Sequence, residues 1–211
     1  MTTSELEGPP APAALATATA PVRVGFASHD GQAAKIASRI AARLRADGLA
    51  AETLDLATTP SVAEVLGGAS LVVVVAAVRY GHHLEAADRF LRAYRAHPGA
   101  PPLALASVNL TARKPDKRTV AANPYVRKLI AKHGLRPVAA AVFAGRLDYP
   151  SYRWFDRQMI RFIMWLTGGP TDPATAIDYT SWPSVDAFAD DVLAAALFDT
   201  ISPRCRRDAE G

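Results

Sequence analysis

The chain has one cysteine, Cys205, set in a charged C-terminal stretch, so no internal disulfide can form. Such usage fits a reducing compartment, and the cytoplasm is the expected location. No uninterrupted apolar run approaches the roughly 18 residues that a membrane-spanning helix needs. Residues 1–20 hold no lysine or arginine, which excludes the basic start of a secretory signal and the arginines of a transit peptide. Their Ala, Pro and Thr content reads as a disordered extension, and residues 201–211 as a flexible tail. Acidic excess is also missing: 24 Lys and Arg face 20 Asp and Glu, a net charge of +4 that favours an anionic partner.

What is present is an alternation of strand-like and helix-like stretches over about residues 21–200, enough for one well-buried domain. Val22–Ala27 is an apolar run, and Ile36, Ile40 and Leu44 give the next segment the spacing of an amphipathic helix. Ala51–Leu56 suits an edge strand. Leu71–Val78 is apolar throughout and rich in β-branched valine, as suits a central parallel strand. A helix over Leu84–Tyr94, a strand over Leu103–Val108, a helix over Tyr125–Lys132, a strand over Val138–Ala144 and a closing helix over Ser184–Leu197 complete the series. The pattern predicts an α/β fold, a doubly wound five-stranded parallel sheet of order 2-1-3-4-5. A sheet of that order binds its ligand at the carboxyl ends of strands 1, 3 and 4, which selects the loops 27–33, 76–83 and 107–118. Residues 146–170 are surplus to such a sheet and form a long insertion after the fifth strand; their aromatic content argues against disorder.

The first loop reads Ser28-His29-Asp30-Gly31-Gln32-Ala33. A hydroxyl, a glycine and the amides that open a helix form an anion cradle. No Walker lysine follows the glycine and no Gly-x-Gly-x-x-Gly is present, so a monophosphate such as that of FMN fits better than a triphosphate or a dinucleotide. A plain tight turn with Asp30 capping the helix reads equally well from this loop alone. The second loop, after Ala77 and Val78, is Arg79-Tyr80-Gly81-His82, where Tyr80 can lie against a flavin ring and Gly81 permits a sharp turn. The third, Ser107-Val108-Asn109-Leu110-Thr111-Ala112-Arg113-Lys114-Pro115, offers backbone amides and the Asn109 side-chain amide, but no aromatic to close a second ring face.

These loops, with Asp116-Lys117-Arg118-Thr119, Tyr149-Pro150-Ser151-Tyr152-Arg153-Trp154-Phe155-Asp156-Arg157 and Gly168-Gly169, resemble the menaquinone-dependent protoporphyrinogen IX oxidases over about residues 22–195. The resemblance implies a flavodoxin-like fold, bound FMN, and removal of six electrons and six protons from protoporphyrinogen IX in haem biosynthesis, with a membrane quinone as acceptor. It implies that Ser28 to Gln32 hold the FMN phosphate and that residues 76–81 and 107–110 hold the ring. Ala33 departs from the family's usual threonine and Ala76 from its glycine. The lost hydroxyl contact is worth about 1 kcal/mol of affinity.

Arg79, Arg113, Lys114, Arg118, Tyr152 and Arg153 are the candidate substrate contacts, since arginine forks match the propionates of a porphyrinogen. A solvated basic loop is the plainer reading of the same charges. Nucleic acid is not expected, because no recognised binding motif accompanies them. On a helical wheel Phe155, Met159, Phe162, Ile163 and Leu166 share one face, with Arg157, Gln158 and Arg161 opposite and Trp154 and Trp165 beside them. That arrangement suits an interfacial helix, so residues 150–167 can place the protein on the inner face of the cell membrane. It suits equally a helix packed on the sheet or on a second copy in a homo-oligomer. His82 and His83 are candidate general bases, His82 the one singled out, although most loop histidines have no catalytic role. Two other classes remain open: an FMN-dependent NAD(P)H:quinone reductase, and a flavodoxin-like electron carrier with no organic substrate.

Overall fold

The computed structural model describes residues 20–59 and 61–207. Five parallel strands form its centre: β1 (Val22–Ala27), β2 (Ala51–Asp55), β3 (Leu71–Arg79), β5 (Leu103–Val108) and β6 (Ala139–Phe143). Their order is β2-β1-β3-β5-β6, the predicted 2-1-3-4-5 arrangement. The two-residue β4 (His82–His83) turns back antiparallel on β3, with Arg79 opposite His82.

β3 occupies the middle because it can be buried on both faces. Its side chains alternate: Val73 and Val75 join one core, Val72 and Val74 the other. The first core is covered by Ile36, Ile40 and Leu44 of α1 (Gln32–Ala46) and by Val185, Phe188 and Val192 of α6 (Trp182–Arg207). The second is covered by α2 (Val62–Leu66), by Phe90 and Leu91 of α3 (Glu85–Ala96), and by Val126 and Leu129 of α4 (Pro124–His133). Both faces of the sheet are therefore sealed, and only the strand ends remain open for a ligand.

Three boundaries differ from the sequence reading. α2 was not expected, because five residues are too few to display a helical period. α6 runs on to Arg207, into the stretch read as a tail; residues 1–19 and 208–211 lie outside the described residues. The insertion is also longer than 146–170. β7 (Arg146–Asp148) leads into α5 (Trp154–Leu166), and β8 (Ala176–Asp178) returns to pair antiparallel with β7. The segment is thus closed on itself, around a small third core of Leu147, Tyr149, Tyr152 and Met164. β8 was invisible in the sequence because its three residues are all exposed and show no alternation.

Candidate active site

The carboxyl ends of β1, β3 and β5 open into a cleft enclosing about 1060 Å³, mouth included. The first loop contributes Ser28, His29, Asp30, Gln32 and Ala33 to its wall. The second contributes Ala77, Val78, Arg79, Tyr80 and Gly81, and the third Val108, Asn109, Leu110 and Arg113. Three loops far apart in sequence therefore meet as the strand order requires.

The first loop is built to receive an anion. Gly31 stands at the N-cap of α1 with φ 81°, and no side chain caps the helix. Only glycine holds that left-handed conformation without strain, and Gln32 and Ala33, which follow it at the start of α1, line the cleft. Lys35 N–H is the first to bond back, to the Gly31 carbonyl at 3.0 Å, so the amides before it have no helical partner. The Ser28 hydroxyl is buried and has no hydrogen-bond partner among the described residues. A buried, orphaned hydroxyl costs about 1–3 kcal/mol unless something binds it. A phosphate satisfies both deficits at once, and the residues fit FMN in this respect.

Asp30 is not a helix cap. It pairs with Arg79 at 3.3 Å and lies 3.9 Å from His29. Burial, then the nearby Asp156 and Asp148 charges, push its carboxyl above the usual range. Gln32 is also committed elsewhere. Its side-chain amide donates to Thr180 Oγ1 at 2.8 Å and to the Asp178 carboxylate at 3.2 Å, so only its backbone N–H remains for an anion. This contact ties the start of α1 to the end of the insertion.

Tyr80 and Gly81 form a two-residue hairpin turn between β3 and β4, with φ of 50° and 82°. Paired positive φ values match the type I′ turn that right-twisted hairpins favour. The turn projects the Tyr80 ring into the cleft, with the Arg79 guanidinium 5.0 Å from the ring centroid. The Tyr80 hydroxyl donates to Asp156 of α5, and Arg79 pairs with the same carboxylate. The Tyr80 hydrogen bond, followed by the Arg79 bond and charge, holds the Asp156 carboxyl below the usual range. Arg79 thus bridges the phosphate loop and the insertion.

Several expected contacts are turned away. The Asn109 side chain, expected at the cofactor edge, points inward: it donates to Ser107 Oγ at 3.1 Å and accepts from Ala112 N–H at 3.2 Å and Asn123 Nδ2 at 3.1 Å. Only the rest of Asn109 reaches the cleft. Ser107 is fully buried and shares a 2.9 Å hydrogen bond with His83 Nε2. The stretch after Asn109 winds into two short 3-10 turns, Leu110–Arg113 and Pro115–Lys117. Arg118 donates to the Ala112 and Arg113 carbonyls, both at 3.3 Å, and so braces these turns rather than reaching into the cleft. Lys114 and Arg153 are exposed and outside the cleft, and His82 lines a separate pocket. Of the cations expected in the third loop, only Arg113 faces the cleft. It donates to the Leu110 carbonyl at 3.1 Å and to Thr167 Oγ1 at 2.9 Å, and no carboxylate among the described residues pairs with it.

α5 supplies what sequence reasoning missed. Ile160, Ile163 and Met164 line the cleft, joined by Tyr125 and Arg146, and the expected Tyr152 lies among them. The i, i+4 spacing of Ile160 and Met164 was the available signal, masked by the longer apolar stripe beside it. Burial pushes the Tyr152 hydroxyl above its ordinary range, and it donates to the Arg146 carbonyl at 3.3 Å. The stripe itself does not pack on the sheet. Phe155 is 80% exposed and Trp165 68%, and Trp154, Met159, Phe162 and Leu166 are exposed with them. The arginines face the protein instead: Arg161 donates to the Thr171 carbonyl at 2.8 Å and Arg157 to the Tyr152 carbonyl at 3.3 Å. The helix is strapped down by its charged side with its apolar side outward. No helix among the described residues is long and apolar enough to cross a membrane.

Residues 24–174 match the model of the flavodoxin domain family. The chain is 40% identical over 168 residues to protoporphyrinogen IX dehydrogenase (quinone) of Escherichia coli, covering 79% of this chain and 91% of that protein. A Leishmania major protein of the same name is 43% identical over 140 residues, 66% of this chain and 60% of the relative. Among solved structures, Streptococcus pneumoniae flavodoxin superposes with a TM-score of 0.50 at 17% identity, covering 83% of this chain and 99% of the other. Rubredoxin:oxygen oxidoreductase of Desulfovibrio gigas gives 0.54 at 11% identity; 87% of this chain spans 37% of that one. The chain therefore belongs to the flavodoxin domain family and, within it, to the protoporphyrinogen IX dehydrogenase (quinone) family.

Proposed function

We propose that this chain oxidises protoporphyrinogen IX to protoporphyrin IX with bound FMN and a quinone, menaquinone or another, as acceptor, within haem biosynthesis. One observation carries the reading. The orphaned Ser28 hydroxyl and the uncapped start of α1 face the same cleft, in a chain 40% identical to named dehydrogenases of this substrate. FMN, when bound, supplies the electron-accepting ring.

The residues around it have separate tasks. Ser28 and the amides of residues 29–33 hold the phosphate. Ala77 to Gly81 and the backbone of Val108, Asn109 and Leu110 position the ring. Ile160, Ile163 and Met164 keep water from the cleft, which strengthens the electrostatics inside it. Arg113, with no carboxylate of its own, is the cation in the cleft free to meet an acidic substituent. His82, the histidine expected as a base, lies outside the cleft, whereas His29 stands in its wall.

The outward stripe of α5 docks on a lipid surface at the inner face of the cell membrane, where a quinone is reached. An exposed apolar face flanked by tryptophans supports this reading. The functional test is anaerobic turnover. FMN-loaded chain with protoporphyrinogen IX should develop porphyrin fluorescence only when a quinone is added. Fluorescence no faster than without protein defeats the proposal.

A further inference from the structure

A second pocket lies beside the cleft, between the β3–β4 turn and the facing sides of α3 and α4. It encloses about 860 Å³, mouth included, and is lined by Gly81, His82 and His83, by Glu85 and Asp88, and by Tyr125, Lys128, Leu129 and Lys132. Gly81 and Tyr125 line the cleft as well, so the two pockets share a wall. Residues 125, 128, 129 and 132 recur at i, i+3, i+4 and i+7, which makes the pocket's far wall a single stripe of α4. Leu129 forms the buried base of that stripe and the two lysines stand at its rim.

The charge around this pocket is unbalanced in one place. Asp88 is satisfied several times over: Lys132 Nζ lies at 2.6 Å, His133 Nε2 at 2.9 Å and Arg92 Nη2 at 3.1 Å. Burial works to raise the Asp88 carboxyl, but the Lys132 and His133 bonds hold it below the usual range. Glu85 has Arg89 at 3.8 Å. Lys128 has no carboxylate partner among the described residues and is exposed at the pocket rim. His83 adds no compensating charge, since burial lowers its imidazole to about 4 and leaves it neutral near pH 7. The pocket therefore presents a mixed, partly apolar lining with a surplus cation at its edge.

Few cations in the cleft are free, because Arg118 braces its loop, Arg79 is held by Asp30 and Asp156, and Arg146 is paired with Asp148 at 2.9 Å. A macrocycle with two carboxylates is too wide to be met by Arg113 alone. We propose that this second pocket receives the carboxylate-bearing edge of the substrate, with Lys128 as its cation, while the rest of the ring crosses Gly81 and Tyr125 into the cleft. This rests on the functional reading above and deepens it to a binding subsite.

The test uses FMN-loaded chain, with Lys128→Glu compared with Arg136→Glu, an exposed site at the amino ends of the strands that matches the change in charge. Lys128→Glu should raise KM for protoporphyrinogen IX about tenfold, with kcat and FMN affinity within about twofold; Arg136→Glu should not. With the dimethyl ester of the substrate, whose carboxylates are masked, the two variants should behave alike. An unchanged KM in Lys128→Glu, or the same rise with the ester, overturns the subsite while wild-type turnover leaves the functional reading standing. Wild-type protein without turnover removes both.

Discussion

Removing the Ser28 hydroxyl should make the empty protein more stable and the loaded protein less so. The Oγ is buried without a partner, and an unsatisfied buried hydroxyl costs about 1–3 kcal/mol. Ser28→Ala removes that cost and little packing, because a single oxygen is lost. About 1 kcal/mol of relief corresponds to a rise of roughly 2–4 °C in Tm for a chain of this size. In the loaded state the same oxygen donates to a phosphate, and charge-assisted bonds are worth about 1.5–3 kcal/mol. FMN should therefore bind Ser28→Ala about tenfold to a hundredfold more weakly. The assay is paired: thermal unfolding of FMN-free protein, and titration of the same protein with FMN by quenching of flavin fluorescence. Opposite signs are required. A variant that melts lower when empty, or that binds FMN as wild type does, refutes the reasoning that this hydroxyl is kept unsatisfied for a ligand.

Other outcomes follow from single features of the structure. His83 is half-buried and neutral near pH 7, with its imidazole lowered from 6.5 to about 4; the unfolded chain takes up the proton first, so stability falls as pH drops from about 6.5 to about 4. The gap converts to about 3 kcal/mol, and denaturant unfolding of wild type and His83→Gln should diverge by that order across the window and run parallel above pH 7. Gly31→Ala meets open space but must hold φ at 81°, so it should lose about 1–2 kcal/mol without any clash, read by chemical denaturation. Phe155→Asp with Trp165→Asp should leave the fold intact, since both side chains are mostly exposed. The double variant should lose flotation with anionic liposomes; flotation equal to wild type would assign the stripe another role.

The sheet was readable because its strands carry their burial in their own composition. Leu71–Val78 has no polar residue before Arg79, and a strand of that kind fits only the centre of a parallel sheet. Strand order then located the three loops, and Ser28, Tyr80 and Arg113 do meet in one cleft. What was not readable depends on contacts across long separations. Gln32 looked like a phosphate donor, and its side chain is claimed by Asp178 and Thr180 nearly 150 positions away. Asn109 looked free, and Asn123 and Ser107 hold it inward. The basic loop could not reveal which cation would be spent on its own carbonyls, as Arg118 is. In α5 the wheel showed the apolar stripe correctly, but not that the shorter Ile160 and Met164 pair would be the side that faces the cleft.

The central claim is that a flavin mononucleotide lodges its phosphate against Ser28 and the opening turn of α1. Titration of the FMN-free chain with FMN and, in parallel, with riboflavin tests it most directly. The account predicts one FMN per chain at micromolar or tighter affinity, with riboflavin, which lacks the phosphate, bound at least about a hundredfold more weakly. Equal affinity for the two, or no quenching by either, would contradict it.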